Sequence, residues 1–253
     1  MNGNRTIKVT GTFLLAIAVM ALVGPWISPN DYVATNLDQI LKPPSAEGMH
    51  WFGTDGLGRD LFVRTMHGIR VTMLVAVVAS LVSLVIGVAY GAIAGFVGGR
   101  VDAVMMRLVD TLYALPFIFF VILLMVAFER NFLLIFVAIG AINWLDMARI
   151  VRGQTLSLRE REFVEAARLT GVSTARIVFR HIAPNLLGIV IGYVTLTIPQ
   201  AILVESFRSF LGLGVQEPQT SLGALVDAGV NQMERAAFAL LIPAALLAMI
   251  LMC

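Results

Sequence analysis

Few residues in this chain could perform bond chemistry. Its three histidines, His50, His67 and His181, are scattered through 253 residues, and Cys253 is its one cysteine. No two of them stand at helical metal-ligand spacing, and a lone cysteine offers neither an intrachain disulfide nor a thiolate site. Residues 53–60, GTDGLGRD, carry the G-x-x-x-x-G spacing of a phosphate loop, but Arg59 and Asp60 follow. A phosphate loop requires Lys and Ser or Thr there, to hold phosphate and magnesium. The stretch therefore reads as a tight turn in which Asp60 caps the next helix. Neither a nucleophile–base constellation nor paired catalytic carboxylates occur. These residues predict no enzyme, no metal site and no cofactor bound by the chain itself, so any work it does draws on a partner's energy.

What remains is FVEAARLTGVSTARIVFRHIAPN, residues 163–185, an arginine-dotted and glycine-broken stretch between two apolar runs. The elements around it follow from composition. The chain is 58% hydrophobic and 13% charged, where a soluble domain carries about 25% charged residues. The apolar residues come in long blocks, and a bilayer span needs about 20 of them. They do not alternate as membrane β-strands do. This predicts an all-α polytopic membrane protein surrounded by lipid, with no nucleic-acid partner.

The expected layout has a cytoplasmic amino terminus at 1–8 and spans at 9–27, 71–97, 111–128, 132–147, 186–204 and 236–253. External loops take 28–70 and 205–235, and 148–185 form a long internal loop. The first run resembles a secretory signal, yet no small-x-small cleavage site follows it, so an uncleaved span is expected. The sixth span ends with Cys253 and is expected to be truncated. Orientation follows the distribution of Lys and Arg. With the amino terminus inside, the inner segments hold 11 of the 18: Arg5, Lys8, Arg100, Arg107 and seven between Arg149 and Arg180. Gly87, Gly91 and Gly95 recur every fourth residue and share one helix face, which predicts close helix packing. Arg107 with Asp110, Arg149 with Asp146, and Glu205 with Arg208 stand at i,i+3 spacing and are expected to pair.

Within the internal loop, Ser157 and Glu160 have the capping-box spacing, which predicts a helix over 158–170. Phe163, Ala166, Ala167 and Thr170 fall on one face of that helix. Gly171 would end it in the left-handed conformation, Ser173 would cap a second short helix, and Pro184 would interrupt the chain before the fifth span. A basic amphipathic helix resting on anionic lipid is one reading. Docking into a protein groove is the other, and the small Ala166–Ala167 pair and the glycine corner favour it.

Glu165-Ala166-Ala167, then Gly171, Ile182 and Pro184, resembles the "EAA" loop of permease subunits of bacterial ATP-binding-cassette importers. More narrowly, FGTDGLGRDLFVR (52–64), GGRVDAVMMRLVDTLYALP (98–116), ARIVRGQTLSLREREFVEAARLTG (148–171), RHIAPN (180–185) and FLGLGVQEP (210–218) are similar to the C-type permease subunit of the oligopeptide, dipeptide and nickel importers. The resemblance runs through nearly the whole chain. It makes Thr54, Asp55, Gly58, Arg59 and Asp60 an external family marker, more structural than ligand-binding. It implies a type I permease fold of six spans in the bacterial inner membrane, with 148–185 as the coupling loop. It further implies a second homologous permease subunit, two ATPase subunits that bind ATP and magnesium, and an extracytoplasmic binding protein delivering peptides or similar small solutes. The competing reading is an ion-gradient-driven transporter or channel. That class predicts two related halves and ionisable residues at the midplane, and neither pattern is present.

Overall fold

A computed structural model describes residues 3–116, 132–210, 214–215 and 217–253. Every regular element among them is helical: α1 (Gly3–Ile27), α2 (Leu61–Val97), α3 (Gly99–Ala114), α4 (Phe132–Arg159), α5 (Glu162–Leu169), α6 (Thr174–Phe210), α7 (Leu222–Val230) and α8 (Ala237–Met252). Among the described residues three helical segments, Thr10–Ile27, Leu61–Val97 and Thr174–Phe210, are long and apolar enough to cross a bilayer, and Ala237–Met252 is a shorter apolar helix. The expected span 111–128 lies mostly outside the described residues.

The chain forms two compact units, Met1–Val75 with Ile202–Cys253, and Ala76–Ala201. In the first, α2 begins ten residues before the expected span, at Leu61. Charged residues made 61–70 look like loop, but each has a local partner. Asp60 Oδ1 accepts the Val63 N–H at 2.8 Å, the geometry of an N-cap. Arg70 donates to the carbonyls of Ala21 and Leu22 at 2.6 and 2.5 Å. Pro25, inside α1, has no N–H to offer the carbonyl four residues earlier, which is that of Ala21. Arg70 thus fills the vacancy that Pro25 creates. Leu61, Leu225, Ala236 and Ala239 form a small apolar core, and Ser221 caps α7 by accepting the Ala224 N–H at 3.1 Å.

In the second unit α2 packs directly on the backbone of α4. A Cβ on Gly87 would lie 2.5 Å from the Met147 Cβ, one on Gly91 would strike the Ala148 carbonyl, and one on Gly95 would lie 2.7 Å from the Arg152 carbonyl. The three glycines form one ridge along α4, the packing arrangement that their spacing predicts. On the next face, Tyr90 and Trp144 meet edge to face at 4.9 Å. Asp102 of α3 accepts two bonds from Arg152, at 2.5 and 2.6 Å. Arg149 pairs with Asp110 of α3 at 2.7 Å, not with Asp146. Neighbouring helices bring these charges closer than i,i+3 spacing does. In the first unit Glu205 Oε1 accepts the hydroxyl of Ser209, one turn along the same helix, at 2.8 Å.

The internal loop departs from expectation at three points. First, α4 continues to Arg159, so Ser157 lies in its last turn and caps nothing; the break falls at Arg161, whose ψ of 146° is extended. Ser157 and Glu160 are both exposed. Second, the buried face of α5 is Val164 and Ala167, while Phe163, Ala166 and Thr170 are exposed. The i, i+3, i+4 spacing fits Val164 and Ala167 as one neighbouring stripe and Phe163, Ala166 and Thr170 as another, and packing against Phe96, Val151 and Ile182 selects the first. Third, the chain stays helical through Pro184. A π-turn over Val178–Ile182, closed by Ala183 N–H to the Val178 carbonyl, precedes it. Such a turn adjusts the preceding carbonyls to a residue that cannot donate.

Gly91→Leu should therefore force α2 and α4 apart, lowering stability by about 1–3 kcal/mol. Gly153→Ala, whose added Cβ meets nothing within 4 Å, should instead raise it by about 0.5–1 kcal/mol. Thermal unfolding of the two detergent-solubilised variants checks both signs.

Candidate functional site

Two side-chain assemblies involve the sequence-selected residues. The first is α5 with the turn that ends it. Val164 and Ala167 are buried against Phe96, Met147, Val151, Ile177, Ile182 and Leu186. Three other helices, α2, α4 and α6, thus hold the inner face of a helix only eight residues long. Its end is a Schellman turn: the Val172 N–H bonds the Ala167 carbonyl at 3.1 Å, and the Gly171 N–H bonds that of Arg168 at 3.0 Å. Gly171 has φ +75°, and a Cβ there would meet nothing within 4 Å. Glycine is needed at this position for its backbone conformation and not for space. Ile182 is fully buried, so it holds the start of α6 and touches no solvent. Glu165, Ala166 and Pro184 face outward. So does Leu169, which is 83% exposed, with Phe163 at 39%.

The second assembly is built on Asp55. Its Oδ1 accepts the N–H groups of Leu57 and Arg59 at 2.9 and 3.0 Å, and its Oδ2 accepts Arg59 Nε at 2.8 Å. Arg59 and Arg64 then both reach Glu217, at 2.6 and 3.1 Å, while Arg64 also donates to the Tyr32 carbonyl at 3.3 Å. Gly58, at φ +70°, lies where any Cβ would run into the Asn36 carbonyl. Thr54 donates to the Gln39 carbonyl and accepts the Lys42 N–H at 2.8 Å. Asp60 Oδ2 takes His50 Nδ1 at 2.7 Å and Asn30 Nδ2 at 3.2 Å. Thr54, Asp55, Gly58, Arg59 and Asp60 thus hold residues 30–64 together and tie them to Glu217, and their polar groups are spent on these internal contacts.

Comparison with known proteins identifies the family. Residues 87–253 match the family described as the binding-protein-dependent transport system inner membrane component, and residues 4–44 match the N-terminal transmembrane domain of oligopeptide transport permease C. The chain belongs to that family of inner-membrane permeases. The oligopeptide transport system permease protein OppC of Escherichia coli K12 is 51% identical over 250 residues, 99% of this chain and 83% of that protein. OppC of Haemophilus influenzae is 49% identical, covering 99% and 80%. The dipeptide transport system permease protein DppC of Bacillus subtilis is 46% identical over 225 residues, 88% of this chain and 70% of that one. These relatives are transport permeases and not enzymes.

Sequence reasoning about the permease missed Glu217, His50 and Asn30, which stand opposite the marker residues. No spacing rule joins Glu217 to arginines 153 and 158 residues earlier. It also missed Val164, the buried centre of α5.

Burial works against the charged form of Glu217, but the Arg59 hydrogen bond and the Arg64 charge outweigh it, so its carboxyl titrates below the usual range. Burial also pulls Arg59 down, and its bonds to Glu217 and Asp55 more than restore it. A depressed carboxyl stabilises the fold fully above its unfolded value of about 4.3, and that contribution fades as pH falls through the lower folded value. The Tm difference between wild type and Glu217→Gln should accordingly be constant from neutrality to about pH 5 and shrink below about pH 4.3. A difference that widens in acid would refute the assignment.

Proposed function

We propose that this permease forms half of the translocation pathway of an ATP-driven importer for peptides or similar small solutes, with a second, homologous permease subunit forming the other half. Two ATPase subunits bind ATP and magnesium on the inner side, and a binding protein delivers the solute outside. The chain crosses the inner membrane six times with its amino terminus in the cytoplasm. In this reading 148–185 is the coupling loop. Glu165, Ala166 and Leu169 of α5 face the ATPase, while Val164, Ala167 and Ile182 fasten the helix to the spans.

The observation that carries the assignment is the exposure of Leu169 on so firmly anchored a helix. A residue that merely completed a solvated turn would have no need of a large apolar side chain. A small apolar face held rigidly by buried residues behind it suits insertion into a groove on another protein. Alternating access follows: closure of the ATPase pair displaces α5, and the helices joined to it rearrange around the solute. The reading rests also on the relatives, whose names are those of oligopeptide and dipeptide permeases.

Leu169→Asp should abolish co-purification of the ATPases with the tagged permease while leaving membrane insertion intact. Gly171→Pro, which cannot adopt a positive φ, should do the same and stop uptake. Retention of both ATPases with normal peptide uptake in proteoliposomes would overturn the coupling role. Uptake abolished by collapsing the ion gradient, and indifferent to ATP, would overturn the importer reading altogether.

A further inference from the structure

Residues 148–185 join α4 and α6 through the chain, but α5 also reaches a helix to which no short connection ties it. Phe96, in the last turn of α2, is 6% exposed and packs in the same core as Val164 and Ala167 of α5. The Arg168 guanidinium lies over its ring, 4.9 Å from the centroid, within cation–π range. Beside it, Arg159 Nη1 donates to the carbonyls of Gly95 and Phe96, each at 3.4 Å. Those are last-turn carbonyls with no partner inside the helix, and a cation is favourable there. Gly98 follows at φ +68°, a conformation that favours glycine.

A cavity of about 440 Å³, bordered by Phe96, Val97, Arg159, Glu160, Glu165 and Arg168, opens between the end of α2, the end of α4 and α5. The two guanidiniums border this space, and Glu160 and Glu165 balance their charge. Arg168 is exposed at the border of this cavity, so its guanidinium can shift over the Phe96 ring while the ring stays packed in the core.

We propose that Arg168 and Phe96 form a strut that makes α2 a third output of the coupling loop, alongside α4 and α6. This rests on the coupling role assigned to α5 above. When α5 is displaced, Arg168 carries the end of α2 with it, and the glycine ridge keeps α2 in register with α4. Arg168 is a positioning residue in this scheme and does not itself contact the ATPase.

The test uses the complete importer, with both permeases, both ATPases and the peptide-loaded binding protein, reconstituted in proteoliposomes. ATP hydrolysed per peptide imported is the readout, since a purely structural defect lowers both rates together. Arg168→Gln and Phe96→Leu should each retain the ATPases and raise that ratio by about twofold to fivefold, the factor that one exposed cation–π contact is worth. Arg168→Lys and Phe96→Trp should return it toward wild type, and the double variant should be no worse than either single one. An unchanged ratio in the single variants, or additive effects in the double, would overturn the strut. Loss of the ATPases from Arg168→Gln would also overturn it, by placing Arg168 in the ATPase contact. If the wild-type permease itself fails to retain ATPases, the coupling role of α5 fails and not only the strut.

Discussion

In lipid, apolar side chains gain nothing by exchanging one apolar surrounding for another, so α2 and α4 stay together through close backbone approach. Gly87, Gly91 and Gly95 allow the α2 backbone to lie against the carbonyls and side chains of α4. Most of the second unit follows from that contact. It brings Phe96 into the core that Val164 and Ala167 complete. A side chain at the ridge would move all of these at once.

At three places where a helix breaks or ends its own ladder, a local device meets the freed carbonyls. Pro25 frees the Ala21 carbonyl and Arg70 takes it up. The π-turn before Pro184 and the Arg159 side chain at the end of α2 deal with the other exposed carbonyls. An unmet backbone group costs several kcal/mol away from water, so these arginines are structural cations as much as topological signals. Their partners are backbone oxygens, which no count of charges along the sequence takes into account.

The external assembly works on the same principle with side chains alone. Asp55, Arg59, Arg64 and Glu217 form one connected group, three of them buried. Removing one member leaves buried charges uncompensated, which is far more costly than never having had the pair. That cost explains why the segment resembling a phosphate loop is a clamp: every charge that might have met a ligand is already occupied.

The sequence by itself determined the class of the molecule, its apolar helices, the glycine packing face, the Asp60 cap, the Gly171 stop and, through its motifs, the family. Each of these depends on short-range periodicity or on one residue's backbone preference, and both are read along the chain. Only the tertiary structure decided which face of α5 is buried, because the core that receives Val164 and Ala167 is built from residues of helices distant in sequence. It alone showed Ser157 inside a helix and Pro184 carried through a π-turn, since packing against neighbouring helices overrides local capping preference. It also decided the partners of Arg149, Arg70 and Glu217. Those pairings join residues far apart in sequence, and only folding brings their charges within reach.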